Sequence, residues 1–283
     1  MPIRFTKLSA TGNDFILFDN RAGLFRGGEE QLFRSLCTRR VAIGADGILL
    51  IEQSAKRIVH SKPDRYAPCA MPSALFTMRY FNRDGRESEM CGNGARAAAY
   101  YAFHRGMALA EMHFEVSGDL YHAAVAGNKV RLRMQKPWDL QLAPQALDET
   151  GMEEGGFVNT GVPHYVLFVD DVEQVNVEEL GVKYRHHPAF QPAGTNVNFV
   201  ELNDVLSLRT YERGVEEETL ACGTGTVASA VLAHLKKGRP FPMQVITRGG
   251  ELTVYGDAAF TKLELEGEVR LVYDGEIELK NFI

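Results

Sequence analysis

Apolar and polar residues alternate with a period of two in many short segments of this chain, the signature of half-buried β-strands. In the first half the alternating segments are Ile3–Leu8, Phe15–Asp19, Gly47–Glu52, Phe76–Phe81, His113–Val116 and Lys129–Met134. In the second half they are Tyr165–Val169, Asn196–Glu201, Leu206–Glu212, Met243–Thr247, Glu251–Tyr255 and Lys262–Glu266. A last segment, Glu268–Tyr273, is placed to return toward the first half. Helical patterns are few: Gly28–Arg39, Gly94–Phe103 and Gly225–Lys236. Many strands with one long helix per half predict an α+β fold of two pseudo-symmetric domains. Each is expected to be a curled mixed sheet around a central helix, with the active site in the cleft between them. The expected boundaries are 1–134, joined by 272–283, and 135–271. No G-x-G-x-x-G follows a strand, so a dinucleotide fold is not indicated. The stretch Ala55–Ala74 lacks periodicity and reads as an irregular surface excursion.

The symmetry rests on an internal repeat. Met90-Cys91-Gly92-Asn93-Gly94 opens a run of small residues, and Ala221-Cys222-Gly223-Thr224-Gly225 opens another. Both read C-G-[NT]-G, and the cysteines stand 222 − 91 = 131 residues apart. Each is preceded by an acidic, glycine-containing loop, Arg83–Glu87 and Glu212–Glu216. Duplication of a domain-sized unit accounts for all of this.

The repeat changes how the cysteines are read. A lone cysteine is most often a small packing residue, and that reading is kept for Cys37; Cys69 is expected to be exposed in a loop. Cys91 and Cys222 each stand at a helix start. There the first N–H groups lack a partner within the helix, and the dipole favours an anion. Such a site lowers a thiol from its free value of about 8.5 toward neutrality. Glycines beside each thiol let the backbone turn tightly. Two thiols addressing opposite faces of one carbon suit stereoinversion: a thiolate removes a proton and a thiol returns one. Acid–base catalysis contributes about 10²–10⁴-fold, and oriented helix N–H groups stabilise the growing enolate charge. No pyridoxal cofactor is needed for this scheme.

Composition narrows the classes that remain. The chain has 283 residues, 45% of them hydrophobic, and a net charge of −6. That supports a sizeable core and offers no general attraction to nucleic acid or to an anionic membrane. No apolar run reaches a membrane span. The cysteine spacings suggest no zinc site. The chain opens on a strand pattern without a secretory signal, so a cytoplasmic location is expected.

Beyond the cysteine repeat, a series of further motifs resembles the diaminopimelate epimerase family. They are Thr11–Phe15, Ile43–Gly47, Tyr80–Gly85, Met90–Arg96, Thr160–His164, Gly194–Phe199, and Tyr211–Gly214 through Cys222–Gly225. The resemblance implies interconversion of LL- and meso-diaminopimelate, on the route to lysine and peptidoglycan, by a homodimer without cofactor or metal. It implies Cys91 and Cys222 as the acid–base pair and His164 and Glu212 as residues that tune the thiols. Asn13, Asn82, Asn93, Asn196 and Arg213 match substrate-holding positions, with Glu212 at the same site. Gly92, Gly223 and Thr224 match backbone donors at the helix starts. These residue types suit an amino-acid substrate with two ends. Asparagine offers donor and acceptor without net charge, and arginine clamps carboxylates bidentately. Asn13, Asn82 and Asn196 also read as turn residues, His164 as a satisfied loop histidine, and Glu212 with Arg213 as a solvated pair.

Two positions depart from many family members, Val162 in place of Asn and Gly47 in place of Gln. Backbone carbonyls exposed at Gly47 are expected to replace part of the lost polarity. The departures leave open a racemase of another amino acid, such as histidine or proline. Readings from other classes are a thiol redox protein, disfavoured by C-G-x-G in place of C-x-x-C, and a non-catalytic amino-acid-binding protein.

Overall fold

The structure is a computed structural model that describes residues 2–54, 75–88, 90–143 and 155–282. The excursion at 55–74, with Cys69, lies outside the described residues. Two compact units form: Met1–Leu132 with Val269–Ile283, and Arg133–Glu268.

The first unit holds β1 (Ile3–Ala10), β2 (Asn13–Asp19), α1 (Glu30–Cys37), β3 (Gly47–Glu52), β4 (Thr77–Asn82), β5 (Glu87–Ser88), α2 (Gly92–His104), β6 (Glu111–Val116), β7 (Asp119–Ala126) and β8 (Lys129–Arg133). The second holds β9 (Trp138–Gln141), β10 (Gly155–Asn159), β11 (Pro163–Val169), α3 (Val177–Arg185), β12 (Asn196–Leu202), β13 (Leu206–Glu212), β14 (Glu217–Thr219), α4 (Gly223–Lys237), β15 (Met243–Thr247) and β16 (Gly250–Tyr255). One long strand, β17 (Glu264–Ile277), serves both: its first part pairs with β16 and its second with β1.

Pairing reveals the duplication more fully than the motifs do. From β1 the neighbours run β2, β3, β4, β6, β7, β8, with senses antiparallel, parallel, antiparallel, parallel, antiparallel, antiparallel. From β10 they run β11, β12, β13, β15, β16, β17 with the same senses in the same order. Beside β1 lies the second part of β17, and beside β10 lies β9.

Each unit wraps its sheet around one helix. Helix α2 is buried continuously from Gly92 to Ala102, and α4 buries nearly all of its first eleven residues. A helix enclosed this way needs apolar or small residues all round. Ala95, Ala97, Ala98, Ala99 and Ala102 in α2, and Val227, Ala228, Ala230 and Val231 in α4, are fully buried. The expectation of an α+β fold with one central helix per half therefore holds.

The differences from the sequence reading have local causes. Both central helices begin two residues earlier than their apolar pattern, at Gly92 and Gly223, so each cysteine becomes the N-cap itself. Segments read as two, Lys262–Glu266 and Glu268–Tyr273, are one strand. Helix α3 was hidden by charges and by Gly181. It is opened by an N-cap, in which the Asn176 side chain accepts from the Glu179 N–H and also donates to the Glu179 carboxylate at 2.9 Å. Its glycine serves packing: a Cβ at Gly181 would lie 2.4 Å from the Tyr211 ring.

Candidate active site

In the first unit the Thr11-Gly12 pair makes a two-residue hairpin between Ala10 and Asn13. Both residues have positive φ, 46° and 86°, as a type I′ turn requires. The turn delivers Asn13 to the start of α2. Cys91 caps that helix in extended conformation (φ −133°, ψ 114°), and its Sγ accepts the Gly94 N–H at 3.3 Å. Asn93, almost fully buried, donates to Asn13 Oδ1 at 2.6 Å and accepts from Arg96 Nη2 at 2.5 Å. Arg96 Nη2 also reaches Thr11 Oγ1 at 3.1 Å. Asn13 donates to Asp46 Oδ2 at 3.2 Å. Asp46 and Asp14 share Arg39, at 2.8 and 2.5 Å, and Lys7 holds Asp14 at 2.7 Å. Burial opposes the charge on Asp14, but Arg39 and Lys7 outweigh it and hold the carboxyl below its usual range.

In the second unit Cys222 caps α4 with nearly the same backbone, φ −119° and ψ 113°. Its Sγ lies 3.5 Å from Thr224 Oγ1. Thr224 Oγ1 lies 2.9 Å from His164 Nε2, and His164 Nδ1 lies 3.1 Å from Asn198 Nδ2. The direction of this chain follows from its far end. Asn198 Nδ2 donates to the Tyr165 carbonyl at 3.1 Å, and Asn198 Oδ1 accepts from Thr210 at 3.0 Å. A carbonyl can only accept, so the amide nitrogen faces His164, and Nδ1 accepts. The ring proton then sits on Nε2 and is donated to Thr224, whose hydroxyl proton is left for Cys222. His164 is fully buried; burial, and secondarily the Arg213 cation, push its pKa down to about 3, so the ring is neutral at neutral pH.

The remaining candidates divide by how fully the protein uses them. Asn196 is buried, donates to the Pro163 carbonyl at 2.8 Å and accepts the Arg213 N–H at 2.9 Å. Arg213 is half-buried; its Nη1 holds the Ala193 carbonyl at 3.1 Å, and it makes no ion pair among the described residues. Glu212 accepts from Thr219 at 2.9 Å. The solvated Glu212–Arg213 pair does not form, and the guanidinium keeps donors for a carboxylate. Asn82 ends β4, and its described hydrogen bonds are backbone ones, to Arg86 and Gly85. Gly92 and Gly223 are the first, buried residues of their helices, and Thr224 follows half-buried.

Two sequence expectations need correction. Gly47 does not expose a carbonyl: it is buried opposite Asn82, and a Cβ there would lie 2.5 Å from both the Phe81 carbonyl and the Tyr80 ring. The glycines of the two motifs matter for close approach more than for turning. A Cβ at Gly225 would meet Asn198 Oδ1 at 2.4 Å, and one at Gly94 would meet Leu49 at 3.1 Å and Cys91 Cβ at 3.4 Å.

Sequence reasoning missed Arg96, Thr11, Asp14, Asp46 and Asn198. Two of them carried a signal. Arg96 is an isolated charge in an alanine run, and Asn198 is a second asparagine on the face of β12 that also carries Asn196.

Solved structures share this architecture. A phenazine biosynthesis protein of the PhzF family from Bacillus anthracis superposes with a TM-score of 0.70 at 16% identity, over 98% of this chain and 99% of that one. A probable proline racemase from Agrobacterium radiobacter, with bound carbonate, gives 0.68 at 13% identity, over 99% and 94%. At such identities the likeness is one of fold. The family model for diaminopimelate epimerase matches residues 5–137 and 156–272. A diaminopimelate epimerase from Chlorobaculum tepidum is 42% identical over 96% of this chain and its own full length. One from Aquifex aeolicus is 39% identical over 97% and 98%. The chain belongs to the diaminopimelate epimerase family.

Proposed function

We propose that this chain interconverts LL- and meso-diaminopimelate in the cytoplasm, as a homodimer and without an organic cofactor, with Cys91 and Cys222 as its acid–base pair. The observation that carries the reading is the pair of matched helix starts. Each has a thiol as N-cap in the same extended conformation, ahead of helix N–H groups that lack an intrahelical partner. The thiolate of one cysteine takes the α-proton, and electron density moves toward the substrate carboxylate. The N–H groups and the arginine fork of Arg213 balance that charge. The other cysteine, protonated, returns a proton to the opposite face. One proton enters and one leaves, so turnover exchanges the protonation states of the two thiols. His164 acts on Cys222 through the Thr224 hydroxyl, as a neutral relay. Family membership, with relatives matched over nearly their whole length, supports the choice of substrate.

The test is LL-diaminopimelate in deuterated water. Deuterium should appear at the α-carbon as meso product forms, and Cys91→Ala or Cys222→Ala should each lower the rate by about 10²–10⁴-fold, the scale of a lost acid or base. Near wild-type turnover in either variant would end the two-thiol mechanism. A panel of lysine, glutamate, proline and histidine checks the substrate, and faster exchange on any of them would move the assignment to another amino acid. Sedimentation of the purified protein tests the dimer.

A further inference from the structure

The first helix start contains a group that the mechanism above leaves unused. Arg96 has no exposed surface, and its hydrogen bonds go to two neutral side chains, Asn93 and Thr11. Its Nε and Nη1 find no partner among the described residues. A guanidinium held out of water without an anion is strongly unfavourable, so a fold that keeps one must set negative charge close by. Among the described residues, the acidic groups of this region do not supply it. Asp14 and Asp46 are tied to Lys7 and Arg39, and they meet Arg96 only through Asn13 and Asn93.

Position points to the thiol. Helical side chains lean back toward the helix N-terminus. Arg96 does so, since it reaches Asn93 three residues before it, in the first turn that Cys91 caps. Burial pushes its pKa down to about 10, and the one charged neighbour that acts against this is Cys91. Arg96 is therefore a cation at neutral pH, and the attraction between it and the Cys91 thiolate is mutual.

The second copy lacks this feature. Five residues past Cys91 stands Arg96; five past Cys222 stands Val227, fully buried. Among the groups facing Cys222 are the Thr224 hydroxyl and, behind it, neutral His164. The charged neighbour of His164 is Arg213, which is half-buried and adjacent in sequence to the oppositely charged Glu212. We infer that Arg96 is a positioning residue that keeps Cys91 as the thiolate of the resting enzyme, while Cys222 rests as the thiol. The free enzyme is then set to take a proton at Cys91 and give one from Cys222. This rests on the reading of the two cysteines as the acid–base pair.

The test is alkylation of the unliganded protein with iodoacetamide across a pH series, resolved by mass spectrometry into the Cys91 and Cys222 peptides. Access changes the plateau rate at each thiol, whereas ionisation sets the pH of half-maximal reactivity. That midpoint should be lower for Cys91 than for Cys222 by about 1–3 pH units, the usual effect of one close opposite charge. Arg96→Met should raise the Cys91 midpoint by a similar amount and leave Cys222 unmoved, and Arg96→Lys should restore part of the difference. Equal midpoints in the unmodified protein, or a Cys91 midpoint unmoved in folded Arg96→Met, would overturn the inference. If Arg96→Met does not fold, the comparison within the unmodified protein decides. The readout needs neither substrate nor turnover, so failure of the epimerase assignment would show separately, as absent deuterium exchange.

Discussion

The two helix starts are copies in backbone and differ in charge. Cys91 and Cys222 cap their helices within about 15° of the same φ and ψ, a scatter ordinary for one conformation. Pairing register carries the correspondence outward: Asp14, directly after the first paired residue of β2, stands where His164 stands in β11. Around Cys91 the duplicated frame holds ionised groups, with Asp14, Asp46, Lys7 and Arg39 at the rim and Arg96 beneath. Around Cys222 it holds a neutral chain of buried Asn198 and His164 and half-buried Thr224. Duplication supplied two thiol-capped helix starts, and divergence gave them different neighbours. Under the proposed mechanism, that difference sets which thiol rests charged.

Acid stability should show the contrast most strongly. His164 is held near 3 in the folded protein against an ordinary 6.5. As pH falls below 6.5, the unfolded chain takes up this proton first and the native state does not. Stability is therefore lost from 6.5 down toward about 3, at up to about 1.4 kcal/mol per pH unit for one proton. Asp14 has the opposite starting point. Its carboxyl is held below the ordinary 3.8, so its contribution is complete above 3.8 and disappears only at lower pH. Urea unfolding at a series of pH values should show a slope between pH 6.5 and 4 that His164→Gln reduces and Asp14→Asn keeps. A slope unaltered by His164→Gln would mean that His164 is not neutral in the fold.

The glycines should separate the copies next. Alanine at Gly225 places its Cβ 2.4 Å from an Asn198 oxygen whose side chain also engages Thr210, Tyr165 and His164. We expect Gly225→Ala to cost about 1–3 kcal/mol, the range for overpacking a core. At Gly94 the nearest atom is the Leu49 Cδ2 methyl at 3.1 Å, which can rotate aside, and alanine gains up to about 1 kcal/mol of helix propensity. Gly94→Ala should remain within about 1 kcal/mol of the parent, because the two effects oppose. Urea midpoints measure both, and the reverse ranking would break the proposed contrast.

How much of this could be read from the sequence depends on the range of the interaction. The strands, both central helices and the duplicated cysteines follow from local periodicity and from motifs a few residues long. Val197 and Phe199 alternate with Asn196 and Asn198 on β12, and all four are buried, so the strand was visible while the task of its second asparagine was not. That task is set by Gly225, Thr210 and Tyr165, which come from other elements. Arg96 was visible as an oddity in an alanine helix; that it meets no carboxylate among the described residues is a fact of packing. Gly47 misled because a missing side chain reads as an opening, whereas Tyr80 and the Phe81 carbonyl fill the space. Strands β7 and β10, diluted by alanine and glycine, had too little contrast between faces to be seen.

The smallest expected effect probes the relay itself. Thr224→Val keeps the shape of the side chain and removes the hydroxyl that accepts from His164 Nε2–H and stands 3.5 Å from the Cys222 sulfur. A hydrogen bond to a charged group contributes about 1.5–3 kcal/mol, and one to a neutral group about 1 kcal/mol. If Cys222 rests as a thiol, the hydroxyl aids it mainly in its thiolate form, which Cys222 carries as base in one direction and acquires on returning a proton in the other. Epimerisation should then slow about tenfold in kcat/KM from either epimer, the rate equivalent of about 1.4 kcal/mol. Thr224→Ser keeps a hydroxyl and should recover most of the rate. Deuterium wash-in from each epimer, measured separately, reads the two directions. Full activity in Thr224→Val would show that the chain from Asn198 to Thr224 is structural and that the inequality of the thiols arises elsewhere.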